Sequence, residues 1–318
     1  MFVSARLLEP GWDAPLAIER SDEVPAPGPG QVRVRVHACG VAYRDVIDRS
    51  GRVAFMQSPI TQGHEVAGVV EAVGEGVDQW QPGDRVGTLH RDFCDSCPAC
   101  DSGETSLCQE AFWVFGLMVD GGYSTHLLAP QRALFPVRDG LPMHHAALLL
   151  SAWGTAWRGL HKFGPLQPGA RVLVTGSNGG VGSAAVQLAR KIGAEVTAVI
   201  RNERHTSFLE EMGAHHVIVA DGRFDTGSWK ADIALDCVGA ATFNSSLRSL
   251  RLGGGLVAIV REGPRRQDAA LLGEVLEGVA RQRVGLELSR VGRRAGHGDE
   301  VGVGADGIER IELDAPPL

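Results

Sequence analysis

Arg171-Val172-Leu173-Val174-Thr175-Gly176-Ser177-Asn178-Gly179-Gly180-Val181-Gly182 is the stretch on which the fold turns. An apolar run closed by a glycine cluster is a buried strand entering a tight turn. Beyond it Val181, Ala185, Leu188, Ala189 and Ile192 recur at helical spacing, which predicts a helix over 181–192 with Gly193 in place to end it. Strand, glycine turn and helix in that order let backbone N–H groups approach a pyrophosphate at the positive helix end. Gly176, Ser177, Gly179, Gly180, Val181 and Gly182 are therefore candidate dinucleotide contacts. The competing reading is a glycine-rich turn without a ligand.

Downstream, apolar runs at Val196–Ile200, Val217–Val219, Ile233–Asp236 and Leu256–Val260 alternate with helical stretches. That alternation implies crossover units and a parallel sheet. After Ile200 comes Arg201-Asn202-Glu203-Arg204. A site for NAD needs an acid at this strand end to accept from the ribose 2′-OH, whereas arginines suit a 2′-phosphate. Arg201 and Arg204 thus point to NADP(H); the alternative is two solvated arginines at a helix start.

Upstream, the pattern is β. Val32, Val34 and Val36 alternate with Arg33, Arg35 and His37 behind a Pro/Gly loop at 25–30. Val66–Val73 is a second strand, and Gln81-Pro82-Gly83-Asp84 turns into a third at Arg85. Short strands with such turns suggest a barrel-like domain. From Arg261 onward the signal weakens as Arg and Gly rise, and apolar periodicity is poor after Leu288. The chain has 318 residues, 44% of them apolar, enough for two cores. With 31 basic and 38 acidic residues its net charge is −7, which argues against nucleic-acid or membrane-surface binding. The first residues lack the apolar core of a secretory leader, and no apolar stretch is long enough to span a bilayer, so a cytoplasmic location is expected.

Cys94, Cys97, Cys100 and Cys108 lie within fifteen residues, separated by small turn-formers. Four soft thiolates with no open position make a closed tetrahedral structural zinc site. An iron–sulfur cluster or four unrelated thiols are the alternatives.

Gly63-His64-Glu65-Val66-Ala67-Gly68, the four-cysteine lobe, the strand–Gly176–helix motif and Leu235-Asp236-Cys237-Val238-Gly239, in this order, resemble the medium-chain dehydrogenase/reductase superfamily of zinc alcohol dehydrogenases and quinone reductases. The likeness covers nearly the whole chain. It implies an α/β protein: a GroES-like β-rich catalytic domain over 1–129, a Rossmann domain with a doubly wound parallel sheet over 130–265, and a C-terminal segment, 266–318, short of the family's last helix and strand. It also implies a small-molecule substrate and assembly as dimers or tetramers.

Family alcohol dehydrogenases hold a catalytic zinc through a residue three after the Cys of Cys-Gly-Val, the His of Gly-His-Glu, and a later Cys or acid. Here these positions fall on Ala42, His64 and Ser151. One His beside Glu65 does not make three protein ligands, so a site without catalytic zinc is expected. An unusual set of Cys39, His64 and Glu65 stays open as the alternative. Ala42-Tyr43-Arg44-Asp45-Val46 and Gly154-Thr155-Ala156-Trp157 are similar to segments of the zinc-free quinone and enoyl reductases. That likeness implies hydride transfer from NADPH to the β-carbon of a conjugated carbonyl. Tyr43 is the candidate donor to the developing enolate oxygen, or else a packed aromatic. Arg44 is expected to pair with Asp45 or touch substrate or cofactor. Thr155 is carried over as a contact behind the nicotinamide; without a catalytic zinc, His64 and Glu65 read as pocket or structural polar residues, and His64 and Ser151 join Tyr43 and Arg44 as candidate catalytic residues. Cys237 reads as a cofactor neighbour or a small core residue. Trp113, Phe115 and Trp153 read as pocket walls or core. His144 and His145, being adjacent, are expected to point in different directions. A third reading is a nucleotide-binding protein without turnover.

Overall fold

A computed structural model of the chain describes residues 1–53, 55–111, 113–259, 285–289 and 308–311. The chain divides into two compact units, Met1–Ser151 and Ala152–Leu318.

In the first unit β1 (Phe2–Leu7) pairs antiparallel with β2 (Leu16–Ser21). The central strand is β3 (Gln31–Gly40), which runs into helix α1 (Tyr43–Arg49). Next come the short β4 (Ile60–Thr61) beside β1, then β5 (Glu65–Val73) and β6 (Arg85–Thr88). Helix α2 (Pro98–Asp101), β7 (His126–Pro130), β8 (Leu134–Pro136) and helix α3 (Met143–Ala146) complete the unit. Five strands form one antiparallel sheet in the order β7-β3-β5-β6-β8. The valine alternation reads through to the packing: Val32 and Val34 are fully buried with Val66, Val70, Val86 and Phe115 in the core of this sheet. The unit runs past the expected 129/130 boundary because β8 pairs with β6 and α3 packs on Ala67.

The second unit opens with α4 (Thr155–Leu160) and β9 (Arg171–Thr175), then α5 (Gly180–Ile192), β10 (Glu195–Ile200), α6 (Thr206–Met212) and β11 (His216–Val219). It continues through β12 (Ala231–Asp236), α7 (Phe243–Arg248), β13 (Leu250–Ala258), β14 (Gly285–Ser289) and β15 (Ile308–Ile311). The sheet order is β11-β10-β9-β12-β13-β14-β15, parallel except for the antiparallel edge pair β14–β15. Its first six strands have the doubly wound order that reverses between β9 and β12, and ligands bind at the carboxyl ends of strands at such a switch point. Helix α5 ends as predicted, with Gly193 left-handed at φ 95°. Val260, the expected end of β13, and most of segment 266–318 lie outside the described residues, so the expectation of a missing last helix and strand does too.

Candidate active site and metal centre

The register of β3 and β5 sets Gly40 opposite Glu65. The turn into α1 therefore lies against Gly63-His64-Glu65. Asp45, in the first turn of α1, is 4% exposed. Its Oδ2 accepts from the Ala42 N–H at 2.8 Å, as a carboxylate at a helix start does. His64 Nδ1 stands 3.1 Å from Asp45 Oδ1, and Gln62 Nε2 donates to the Asp45 carbonyl at 3.0 Å. The Tyr123 hydroxyl donates to Asp45 Oδ2 at 3.0 Å. A carboxylate only accepts, so His64 carries its proton on Nδ1, and Nε2 has no partner among the described residues.

Burial works against the charge of Asp45, but the bonds from His64, Ala42 and Tyr123 outweigh it and hold the carboxyl below the usual carboxylate range. The sign follows: the stability Asp45 contributes is whole above 3.8 and is lost as pH falls through its depressed folded value. Melting curves from pH 7 down to pH 2 are expected to show this loss, and Asp45→Asn to flatten that acid limb. An unchanged limb in the variant counts against the assignment. Burial and the Asp45 charge push the Cys39 thiol up to about 12. The same two causes raise the Tyr123 phenol, which keeps it a donor.

The other expected site residues are placed differently. Tyr43 is 74% exposed on the first residue of α1. Arg44 pairs with Asp48 at 3.0 Å, not with Asp45, because neighbours four apart face each other on a helix and adjacent ones do not. Ser151 is half-buried within a π-helical stretch, Leu149–Gly154. His144 and His145 do not diverge; both are exposed, with rings in edge contact at 4.4 Å. Phe115 is core, and Trp113 meets it edge-on at 5.0 Å. Trp153 packs against the core of the second unit.

Among the described residues, one group of three or more His, Cys, Asp or Glu brings its ligand atoms together: Cys94, Cys97, Cys100 and Cys108, all within 4.8 Å. Sγ of Cys100 lies 3.6 Å from that of Cys97 and 3.9 Å from that of Cys94. A zinc tetrahedron with bonds of about 2.3 Å has edges of about 3.8 Å, so the four thiols fit that ion. Hydrogen bonds from Ser96 hold Cys94 down to about 6, and the Cys94 N–H donates to Cys108 Sγ at 3.2 Å. Around His64 the donor set is different in kind: Ala42 offers no ligand atom, and Cys39, His64 and Glu65 do not converge. These residues do not fit a catalytic zinc.

At the end of β9, Gly176 adopts φ 59°, which a side chain would strain. Asn178, Gly179 and Gly180 are exposed. The first-turn N–H groups of α5, on Gly180, Val181 and Gly182, have no carbonyl within the helix to bond and are free for a phosphate. A Cβ on Gly182 would lie 2.3 Å from the Gly176 carbonyl, so helix and turn close up only with glycine there. This cradle fits a pyrophosphate. Ser177 is not one of its donors: its N–H and hydroxyl both bond β10 at Val199, and the hydroxyl also donates to Val174. Arg201 and Arg204 are exposed just beyond β10, where Asn202 Oδ1 accepts from the Arg204 N–H at 3.1 Å. Thr155 is half-buried at the start of α4.

Residues 28–139 match the alcohol dehydrogenase GroES-like domain and residues 180–268 the zinc-binding dehydrogenase domain. Over 259 residues the chain is 33% identical to an acryloyl-coenzyme A reductase of Sulfurisphaera tokodaii, covering 80% of this chain and 77% of that one. It belongs to the medium-chain dehydrogenase/reductase superfamily. Solved structures of this superfamily agree. The crystal structure of AibC aligns with TM-score 0.80 at 37% identity, over 90% of this chain and 80% of that one. A cobalt- and zinc-bound alcohol dehydrogenase from Pyrobaculum aerophilum aligns with TM-score 0.77 at 29% identity, over 90% and 82%. The protein is thus an oxidoreductase of this superfamily, with a zinc and a pyridine-nucleotide cofactor. Among the described residues no helix is long and apolar enough to cross a membrane.

Three groups of this oxidoreductase escape sequence reasoning. Tyr123 reaches Asp45 across 78 positions, and nothing in Gly121-Gly122-Tyr123-Ser124 marks it. His90, pushed down to about 4 by burial and by the charges of Arg44, His64 and Arg91, sits near the same cluster. Asp236 lies inside a motif already noted, but its completely buried carboxylate anchors the turn after β12.

Proposed function

We propose that the chain is an NADPH-dependent reductase of activated carbon–carbon double bonds, enoyl thioesters foremost, with one structural zinc on Cys94, Cys97, Cys100 and Cys108. The acryloyl-coenzyme A reductase likeness supports the substrate class. Arg201 and Arg204 at the end of β10 support the 2′-phosphate. The observation that carries the reading is the Asp45–His64 bond at 3.1 Å, in a site whose Ala42 and Ser151 cannot complete a metal's ligand set.

When bound, the nucleotide supplies the hydride to the β-carbon. The double-bond electrons move onto the thioester oxygen as an enolate, and the carbonyl then re-forms as the α-carbon takes a proton. With its Nδ1–H bonded to Asp45, the protonated form of His64 gives its Nε2 proton to that carbon and regains one from solvent. Asp45 orients the ring and stabilises its charged form, the role of the carboxylate in other His–Asp pairs. The exposed Tyr43 hydroxyl is the proposed donor to the enolate oxygen. Arg44 and Ser151 are proposed substrate-side contacts, Thr155 a contact behind the nicotinamide, and two or four copies the working assembly.

Oxidation of NADPH against enone, quinone and enoyl-thioester panels tests the reading, with turnover expected on enoyl thioesters. Arg201→Ala and Arg204→Ala are each expected to weaken NADPH binding about tenfold while leaving NADH binding nearly unchanged, since roughly 1.4 kcal/mol is a factor of ten. Oxidation of simple alcohols that follows a second zinc per chain overturns it.

A further inference from the structure

We infer that Tyr123 is a positioning residue for proton delivery: by fixing Asp45 Oδ2 it aims Oδ1 at His64 Nδ1 and so presents His64 Nε2 to the substrate. The inference rests on the proposed role of the Asp45–His64 pair and adds the group that steers it.

The geometry is specific. Asp45 Oδ2 takes two donors, the Ala42 N–H at 2.8 Å and the Tyr123 hydroxyl at 3.0 Å, which leaves Oδ1 for His64 at 3.1 Å. The Ala42 bond comes from the helix that carries Asp45, so it holds the carboxylate to its own α1. The Tyr123 bond comes from a separate segment and fixes the carboxylate about its remaining torsion. That segment is itself laced down. The Gly121 N–H donates to Thr61 at 2.7 Å, Gly122 to Gly63 at 2.8 Å and Tyr123 to Gln62 at 2.9 Å. Tyr123 is thus tied to the very residues that lead into His64, and phenol and imidazole grip one carboxylate from two segments bonded to each other. The tyrosine ring packs directly over Gly63, where a Cβ would lie 2.7 Å from Cδ1. Of the chain's two tyrosines, Tyr43 is exposed and Tyr123 is engaged.

Other titratable and charged groups face this cluster: Arg44 from α1, Cys39 from β3, Glu65 from β5, and His90 beyond β6. Tyr123 acts on the carboxylate directly, donating to Asp45 Oδ2 at 3.0 Å. Removing the phenol hydroxyl concentrates the charge of Asp45 on His64 and loosens the ring. A hydrogen bond to a charged group is stronger than one between neutral groups, enough to move a titration and to misplace a donor.

The test uses the full-length, zinc-loaded protein and compares Tyr123→Phe, Asp45→Asn and His64→Gln on an enoyl thioester with NADPH. Tyr123→Phe keeps the ring over Gly63, and its melting temperature is expected within a few degrees of wild type. Its kcat is expected to fall about tenfold with KM within about twofold, and the alkaline limb of its kcat–pH profile to move up by about half a unit. His64→Gln and Asp45→Asn are expected to lose about a hundredfold or more in kcat. If those two variants lose activity while Tyr123→Phe changes neither kcat nor the profile, the steering role is wrong and the proton-donor reading stands. If His64→Gln turns over normally, both fall. If Tyr123→Phe lowers kcat and melting together with no shift in the profile, Tyr123 is a packing residue and the inference is overturned.

Discussion

Asp236→Ala is expected to lower the melting temperature of the second unit by about 10 °C and to abolish nucleotide binding at temperatures where the protein is still folded. Asp236 is completely buried at the end of β12 and accepts from five groups. Thr175 Oγ1 at 2.9 Å, the Val238 N–H at 2.9 Å and the Gly239 N–H at 2.8 Å all reach Oδ1. Thr242 Oγ1 lies 2.9 and 3.0 Å from the two oxygens, and Ser246 Oγ donates to Oδ2 at 2.8 Å. A buried donor left without an acceptor costs about 1–3 kcal/mol, and water entering the vacated space satisfies some of the five. The net is about 4 kcal/mol, in the range reserved for broken buried networks. For a unit of this size each kcal/mol moves the midpoint by about 2–4 °C. Binding suffers separately, because the carboxylate pins the Cys237-Val238-Gly239 turn, and Val238 Cγ2 lies 3.1 Å from where a Cβ on Gly176 would stand. Asp236→Asn keeps the shape and one acceptor, so a loss of about half as much is expected. Calorimetry with nucleotide titration checks both variants, and an Ala variant that melts and binds like wild type refutes the account.

Why that anchor was invisible in the sequence while the sheet around it was not is a matter of range. Strand β9 falls where the apolar run predicts it, Arg171–Thr175, and α5 begins one residue before the prediction, because periodicity and glycine punctuation are local signals. The strand expected from Leu256 instead begins at Leu250, because β13 carries Arg251, Leu252 and three glycines that break the apolar pattern while still pairing with β12. Site residues split along the same line. The four cysteines close in sequence also close in space, and their spacing alone reveals the lobe. The His64–Asp45 contact spans 19 positions and the Tyr123–Asp45 contact 78, set by the β3–β5 register and by the loop tied to 61–63. A short motif such as Tyr43-Arg44-Asp45 names the right segment but not the side chain that turns inward. On α1 the inward positions are Asp45 and Asp48, and Tyr43 faces out.

Removing zinc is expected to open the cysteine lobe while the sheet of the first unit stays folded. The lobe from Cys94 to Cys108 holds only the four-residue α2 and one turn of 3₁₀ helix at Thr105–Leu107, too little regular structure to be stable alone. Structural zinc sites in small peptides contribute about 10–16 kcal/mol of folding free energy, far more than the lobe's own bonds. Its borders have separate fastenings. Arg132 grips Asp92 with two bonds, Nε at 2.7 Å and Nη2 at 3.0 Å, and Arg91 donates to the Ser106 carbonyl at 2.6 Å and to that of Cys108. Those bonds keep the ends of the lobe near the sheet, so unfolding stays local. In hydrogen exchange, chelated protein and Cys100→Ser are both expected to lose protection across 94–108 while Val32, Val34 and Val70 keep theirs. One zinc per chain is expected to leave with that opening, measured by metal analysis on the same samples. Global melting on chelation would show instead that the lobe supports the whole unit. A second zinc released without any change across 94–108 would place a metal elsewhere and overturn the metal-free reading of His64.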